Sequence, residues 1–295
     1  MNIHLAKSAG FCFGVTKAIT RALETAKTNA SIFMLGDIVH NAEVMKQIQS
    51  AGIKKITRLT NGSGKTLLIR THGCSNKILQ QALKSGYTIV DVTCPMVKEI
   101  HKIARKLEDE GYQIIVIGDK LHDEVGGIVG QLQTQALVID KLKNIPLTKI
   151  KNIKRAGIVV QSTQNLDNVE KILAVLRKYI PKIQFHNTIC NPTRIKQNEI
   201  KTMPLENEVM IIIGSKASAN TKRMYEIAKS LNKHSYWVNS AKEVKKAWVK
   251  NALNIGITAG ASTPKSSIVE VIQKIKTIGS LNYPPLKRRR IIVAH

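Results

Sequence analysis

In Ala9-Gly-Phe-Cys-Phe-Gly-Val15, a cysteine sits between two aromatics and two glycines, after a short apolar run and before a helical pattern. The stretch decides the fold because it is echoed twice. Cys94 follows the strand-like run Thr88-Ile-Val-Asp-Val-Thr93 and precedes Pro95; Cys190 follows Ile183-Gln-Phe-His-Asn-Thr-Ile189 and comes shortly before Pro192. Proline there suits the first turn of a helix. Downstream of each cysteine a second apolar run ends in glycine: Ile32-Phe-Met-Leu-Gly36, Ile114-Ile-Val-Ile-Gly118 and Ile211-Ile-Ile-Gly214. Cysteine and glycine are 24 residues apart in all three. The repeat, 82 and then 96 residues, is too long for a solenoid unit. It predicts an α/β chain of three similar lobes in a pseudo-threefold arrangement.

The expected bounds are 9–94, 95–190 and 191–280, with a C-terminal tail over 281–295 packed across the closure. The third lobe lacks a strand in the place that precedes a cysteine in the other two. Residues 2–8 are expected to fill it. Helical periodicity marks 15–27, 44–48, 76–84, 97–110, 166–179 and 266–275, and Ser75 is placed to cap the third of these. Strands are expected at 66–70, 157–160 and 255–258. The segment Asn61-Gly-Ser-Gly-Lys-Thr66 imitates a phosphate loop, but Leu59 stands where that motif needs glycine and a strand follows instead of a helix. It reads as a surface turn.

A chain of 295 residues can bury a large core. No apolar run reaches the ~18 residues of a membrane span, and the first residues lack a signal-peptide pattern. A cytoplasmic protein with no membrane partner is expected. Four cysteines in a reducing compartment read as ligands or catalysts before disulfides. The net charge of +26 suits an anionic partner, but the lysines are dispersed and only Lys287-Arg-Arg-Arg290 is dense. With 4% aromatic residues there is little to stack bases on, so no nucleic-acid partner is expected.

Ligands of parallel α/β sheets gather beyond the carboxyl ends of strands. The first such loop of each lobe offers His40, then His122 and Glu124, then Ser215, Ser218 and Asn220. The second offers His72, then Ser162 and Thr163, then Ser262. With a shared axis, three thiols and a ring of histidines and neutral donors meet in one cavity. A structural zinc site takes four ligands with close pairs, which are absent. A 4Fe–4S cluster on three cysteines leaves one iron open to act as a Lewis acid. Three ordinary buried cysteines are the alternative, and the equal offsets speak against it.

The motifs Gly10-Phe-Cys-Phe-Gly-Val15, His40-Asn41, Thr71-His-Gly73, Asp91-Val-Thr-Cys-Pro95, His122-x-Glu-Val-x-Gly127, Gln161-Ser-Thr163, Thr188-Ile-Cys190, Gly214-Ser-x-x-Ser-x-Asn220 and Thr258-Ala-Gly-Ala-Ser262 resemble the 4-hydroxy-3-methylbut-2-enyl diphosphate reductase (LytB/IspH) family over nearly the whole chain. The resemblance implies a cytoplasmic iron–sulfur oxidoreductase of the non-mevalonate isoprenoid pathway. It implies reductive dehydroxylation of the allylic diphosphate to isopentenyl and dimethylallyl diphosphate, with ferredoxin or flavodoxin as electron donor. Cys12, Cys94 and Cys190 would hold a central 4Fe–4S cluster. Glu124, His122 and Ser162 would move protons. His40, His72, His122, Ser162, Thr163, Ser218, Ala219, Asn220 and Ser262 would line the substrate.

Several positions depart from the family pattern. Ser162 replaces a threonine and keeps the hydroxyl. Ala219 replaces a serine, which removes one phosphate contact. Asp123 replaces a proline and is expected to loosen its loop. Lys196 stands where arginine is common. Cys74 is an addition, expected as a free thiol near the cavity mouth. His4, His101, His186, His234 and His295 read as surface or core residues. A non-catalytic iron–sulfur redox sensor is the alternative function, a nucleic-acid-binding protein rests on charge alone, and a hydro-lyase with an open iron would need no external reductant.

Overall fold

Short apolar runs closed by glycine, separated by helices, can only pair in parallel, because each strand must cross over before it finds its neighbour. A computed structural model of the chain describes residues 1–280; the expected tail over 281–295, with Lys287–Arg290 and His295, lies outside them. The chain opens with β1 (Asn2–Leu5). The first lobe runs α1 (Phe13–Thr28), β2 (Ile32–Leu35), α2 (Ala42–Ser50), β3 (Lys54–Ile56), β4 (Thr66–Ile69), α3 (Asn76–Lys84) and β5 (Thr88–Asp91). The second runs α4 (Pro95–Asp109), β6 (Gln113–Ile117), α5 (Asp123–Val129), β7 (Leu137–Ile139), the single turn α6 (Leu147–Ile150), β8 (Arg155–Val160), α7 (Leu166–Tyr179) and β9 (Lys182–Phe185). The third runs α8 (Asn191–Glu206), β10 (Val209–Ile213), α9 (Ala219–Leu231), β11 (Ser235–Val238), the turn α10 (Lys246–Val249), β12 (Asn254–Ala259) and α11 (Lys265–Ser280).

Each lobe holds one four-stranded parallel sheet. The orders are β3-β2-β4-β5, β7-β6-β8-β9 and β11-β10-β12-β1. The same plan recurs three times, and β1 occupies in the third sheet the edge that β5 and β9 occupy in theirs. Ile3 registers with Ile255 and Leu5 with Ile257. The central strands are apolar on both faces, as parallel strands covered by helices must be: Ile114 to Ile117 and Val209 to Ile213 are all buried.

Three edge strands, β3, β7 and β11, were not among the expected elements. They are three or four residues long and partly exposed, so they carry no periodic signal; pairing to the adjacent central strand makes them. The strands before Cys94 and Cys190 are also shorter than expected and stop at Asp91 and Phe185. Side chains take over from the ladder beyond those points. Asp91 accepts from the Thr93 N–H at 2.9 Å, and the Thr188 hydroxyl donates to Val160 O while accepting from Val160 N. Where a loop was expected after His122, α5 forms. Gly126 and Gly127 hide its pattern, yet a close approach needs the second of them: a Cβ on Gly127 would stand 3.0 Å from His72 O.

Candidate active site and metal centre

The three repeated cysteines are the N-caps of α1, α4 and α8, and none uses its side chain as a cap. All three line one cavity of about 100 Å³. Gly14 explains how α1 comes so close: a Cβ there would lie 2.5 Å from Cys94 Sγ and 4.0 Å from Cys12 Sγ. Thr193 Oγ1 is 3.2 Å from Cys190 Sγ. Burial pushes the Cys94 and Cys190 thiols up, while hydrogen bonds from Met96, Val97 and Thr193 pull the other way. No cysteine is in a disulfide. Three free thiols at three helix N-termini on one cavity fit a cationic metal centre that takes thiolate ligands.

The helix that begins at Cys190 also grips the approach to Cys12. Lys196 Nζ donates to Gly10 O and Ala259 O, both at 3.1 Å, and to Ser8 O. One turn on, Glu199 accepts from the Ser8 N–H and hydroxyl. Burial lowers the Lys196 pKa to about 8. Sequence reasoning noted Lys196 as a substitution and missed this contact, whose partners are backbone carbonyls and carry no sequence signal.

Glu124 lies in the first turn of α5 and is 2% exposed. Its carboxyl accepts from the Ser162 N–H at 2.6 Å and from the Ser162 hydroxyl at 2.8 Å. Desolvation raises its pKa, and the two Ser162 bonds oppose the rise. Ser162 itself is held at the cavity wall by the turn after β8. There Gln161 accepts from Asp119 N at 2.8 Å and donates to Thr163 Oγ1 at 3.0 Å.

His40 and His72 stack with centroids 4.5 Å apart, and His122 meets both edge-on at 5.4 and 5.3 Å. Burial is the main reason all three imidazoles fall below their ordinary value: His72 well below, His122 to about 4, and His40 less, because Asp123 opposes the fall. They are therefore neutral at pH 7. His122 Nδ1 accepts from the Glu124 N–H at 3.2 Å, which assigns its proton to Nε2 and makes that atom a donor. Asp123 does not loosen this loop. It opens α5, where an acidic residue suits the helix dipole, and pairs with Arg70 at 2.6 Å. Its other neighbour is His40 Nε2 at 3.9 Å.

The third lobe presents neutral donors. Ser218 caps α9 by accepting from Thr221 N, so the N-terminus of a thirteen-residue helix faces the cavity beside Ala219 and Asn220. Such an end attracts phosphate. Ser262 donates to His40 O at 3.3 Å and ties this lobe to the first. Apart from Ser215, the residues expected at the site line this one cavity, together with Val39, Thr71, Met96, Pro192 and Thr193. Ser215 is not among its walls. Neither is Cys74. The turn at Gly73, with φ +74°, sends the chain back from His72, and the half-buried Cys74 packs against the cluster of Leu67, Ile69, Ala82 and Tyr87. His101 is a buried core residue, and His4 bonds Asn207.

The sequence profile of the family described as LytB protein matches residues 3–276. The chain belongs to the LytB family. Among its relatives, the 4-hydroxy-3-methylbut-2-enyl diphosphate reductase of Geobacter metallireducens is 35% identical over 280 residues, which cover 95% of this chain and 99% of that protein. The enzyme of the same name from Aquifex aeolicus is 35% identical over 282 residues, 94% of this chain and 97% of its own. A solved structure of (E)-4-hydroxy-3-methyl-but-2-enyl diphosphate reductase, described as the terminal enzyme of the non-mevalonate pathway, is 34% identical with a TM-score of 0.69; it covers 94% of this chain and 100% of its own. The E-1-hydroxy-2-methyl-but-2-enyl-4-diphosphate reductase from Plasmodium falciparum is 27% identical with a TM-score of 0.84, over 96% and 88% of the two chains. The fold is thus shared with both of these solved structures. Among the described residues no helix is long and apolar enough to cross a membrane.

Proposed function

We propose that this chain reduces 4-hydroxy-3-methylbut-2-enyl diphosphate to isopentenyl and dimethylallyl diphosphate. The observation that carries the reading is a buried, protonatable Glu124 on the same cavity as three free thiols and a ring of neutral phosphate donors. The reaction takes two electrons and two protons. One C–O bond breaks and one C–H bond forms; the departing oxygen leaves as water. When bound, a 4Fe–4S cluster on Cys12, Cys94 and Cys190 supplies the electrons and an open Lewis-acidic position for the hydroxyl oxygen.

The chain's own groups do the rest. His40, His72 and His122, with Ser218, Asn220, Ser262 and the α9 N-terminus, bind the diphosphate through N–H and O–H donors. The neutral imidazoles suit this, since each carries one N–H donor. Glu124, whose pKa burial raises, gives its proton to the departing oxygen. The Ser162 hydroxyl and the Nε2–H of His122 hold the line along which that proton is replaced, and Thr163 borders the same wall. A one-electron carrier such as ferredoxin or flavodoxin, in the cytoplasm, completes the cycle. A redox sensor has no use for a buried Glu124 or for phosphate donors.

Anaerobic protein mixed with reduced methyl viologen and the allylic diphosphate tests this directly. Viologen oxidation that depends on substrate and vanishes in Cys190→Ser is the expected result. No oxidation by protein with full iron and sulfide content would overturn it.

A further inference from the structure

A diphosphate ester carries more than one negative charge, yet among the described residues no lysine or arginine lines the cavity. Apart from the partial charge of the α9 N-terminus, its donors on this side are neutral. The three imidazoles are the groups here that can gain a positive charge. One nitrogen from each ring lies within 4.8 Å of those of the other two. Two cations so close repel each other, so the cluster has room for one added proton.

The surroundings of the three rings select its place. Nδ1 of His122 accepts from the Glu124 N–H at 3.2 Å, and a proton on that atom would face the donor. His72 is stacked on His40 and met edge-on by His122. The charged groups that act on it are those two rings and Arg70, and each disfavours a cation there. His40 differs, because its Nε2 is 3.9 Å from Asp123 Oδ2. His40 is a wall of the cavity and Asp123 is not, so the carboxylate backs the ring. Arg70 Nη1 grips the same Oδ2 at 2.6 Å. That nitrogen is lodged against the turn at Gly36, where a Cβ would stand 3.2 Å from it. The other charge acting on His40 is Asp37 in its own loop, which pairs with Lys55 at 2.6 Å. The third lobe meets His40 through the neutral Ser262 hydroxyl. Burial holds the free ring below its ordinary value, and Asp123 is the strongest influence in the other direction.

We propose that diphosphate binding brings one proton onto His40 and that Asp123 is the positioning residue for it, so that in the complex an imidazolium lies between the diphosphate and a carboxylate fixed by Arg70. The proposal rests on the reductase reading above and adds to it a proton that the reaction does not consume. This proton is taken from solvent as the ligand enters and returned when the diphosphate product leaves. The two protons of the reduction are separate from it. The complex holds the proton to higher pH than the free protein does. Affinity is therefore greatest in acid and falls as pH rises toward the value of the bound ring, and in that window each ligand takes up a proton.

Calorimetry of the oxidised holoenzyme with the allylic diphosphate, with no electron donor present, counts the proton when run in two buffers of different ionisation enthalpy. At about pH 7.5 the ligand's own last ionisation, near pH 6 for a phosphate ester, is largely complete. The parent should take up about one proton per ligand. Asp123→Asn, and Asp123→Ala as a second replacement, should take up less than about a third of that, with iron per chain unchanged. Their uptake should return when the pH is lowered by about one unit, because a carboxylate at this distance is worth about that much. Asp37→Asn should behave as the parent, and His40→Asn should lose the uptake. A parent that takes up no proton overturns the proposal. So does uptake that persists in both Asp123 variants or in His40→Asn, and so does uptake that is lost in Asp37→Asn. Viologen-driven turnover separates the two readings: turnover without uptake overturns this proposal alone, uptake without turnover overturns the reductase alone, and a parent that neither binds nor turns over the ligand overturns both.

Discussion

The two ends of the cavity are built by opposite strategies from the same repeat. At one end the three lobes contribute the same residue, a cysteine at a helix N-cap. At the other the equivalent loops have diverged: His40 from the first lobe, His122 and Glu124 from the second, Ser218 and Asn220 from the third. A metal centre with three like ligands can use threefold symmetry. A linear substrate with a diphosphate at one end and a hydroxyl at the other cannot, so its site must break that symmetry.

Breaking the asymmetric end should cost the most activity. Glu124→Gln keeps the shape and the Ser162 contact but removes the transferable proton. We expect kcat to fall about 10²–10⁴-fold, with iron per chain unchanged. An equal loss of iron would show that Glu124 belongs to the symmetric end.

Breaking the symmetric end without touching a thiol is possible at Lys196. Lys196→Met leaves the carbonyls of Ser8, Gly10 and Ala259 without their donor. Stability should drop by about 3 kcal/mol, and iron retention should fall with it because the Cys12 approach is freed. Lys196→Arg should restore both in denaturation and metal-content assays.

The wall between the two ends is sensitive to acid. His101 is buried between the His72 turn and α5, and its pKa is lowered from 6.5 to about 4, mainly by desolvation. The unfolded chain takes up this proton near pH 6.5 and the folded chain only near 4. Stability from this residue is therefore full above pH 6.5 and lost as pH falls toward 4. Its share of the loss is on the order of 1–3 kcal/mol. Thermal unfolding across that window should steepen with acid in the parent and less so in His101→Phe.

The smallest change sharpens the diphosphate end. Ala219→Ser adds one hydroxyl to the first turn of α9. About 1 kcal/mol, or a fivefold lower KM with kcat unchanged, is the expected gain. A change in kcat instead would move position 219 toward the reacting carbon.

Much of this was legible before any fold was known. Equal cysteine-to-glycine offsets exposed three lobes, and a missing strand pointed to the chain's own start, which β1 fills beside β12. The residues expected in the cavity are there because strand–loop–helix order alone puts such loops at one end of a parallel sheet. The failures share a cause. Cys74 sits two residues from His72, yet the positive φ of Gly73 turns it into the core. Asp123 looked like a loosened loop because its partner, Arg70, lies on another strand's end.

Sequence alone therefore determined the repeat and the place of the three cysteines in it, since these rest on residue identity and spacing along the chain. Tertiary structure decided the rest: which proton His122 carries, why the Glu124 pKa is raised, how Lys196 joins the Cys190 helix to the Cys12 approach, and which apolar residues remain outside. Those depend on desolvation and on contacts between residues far apart in sequence. Neither is written in the local pattern.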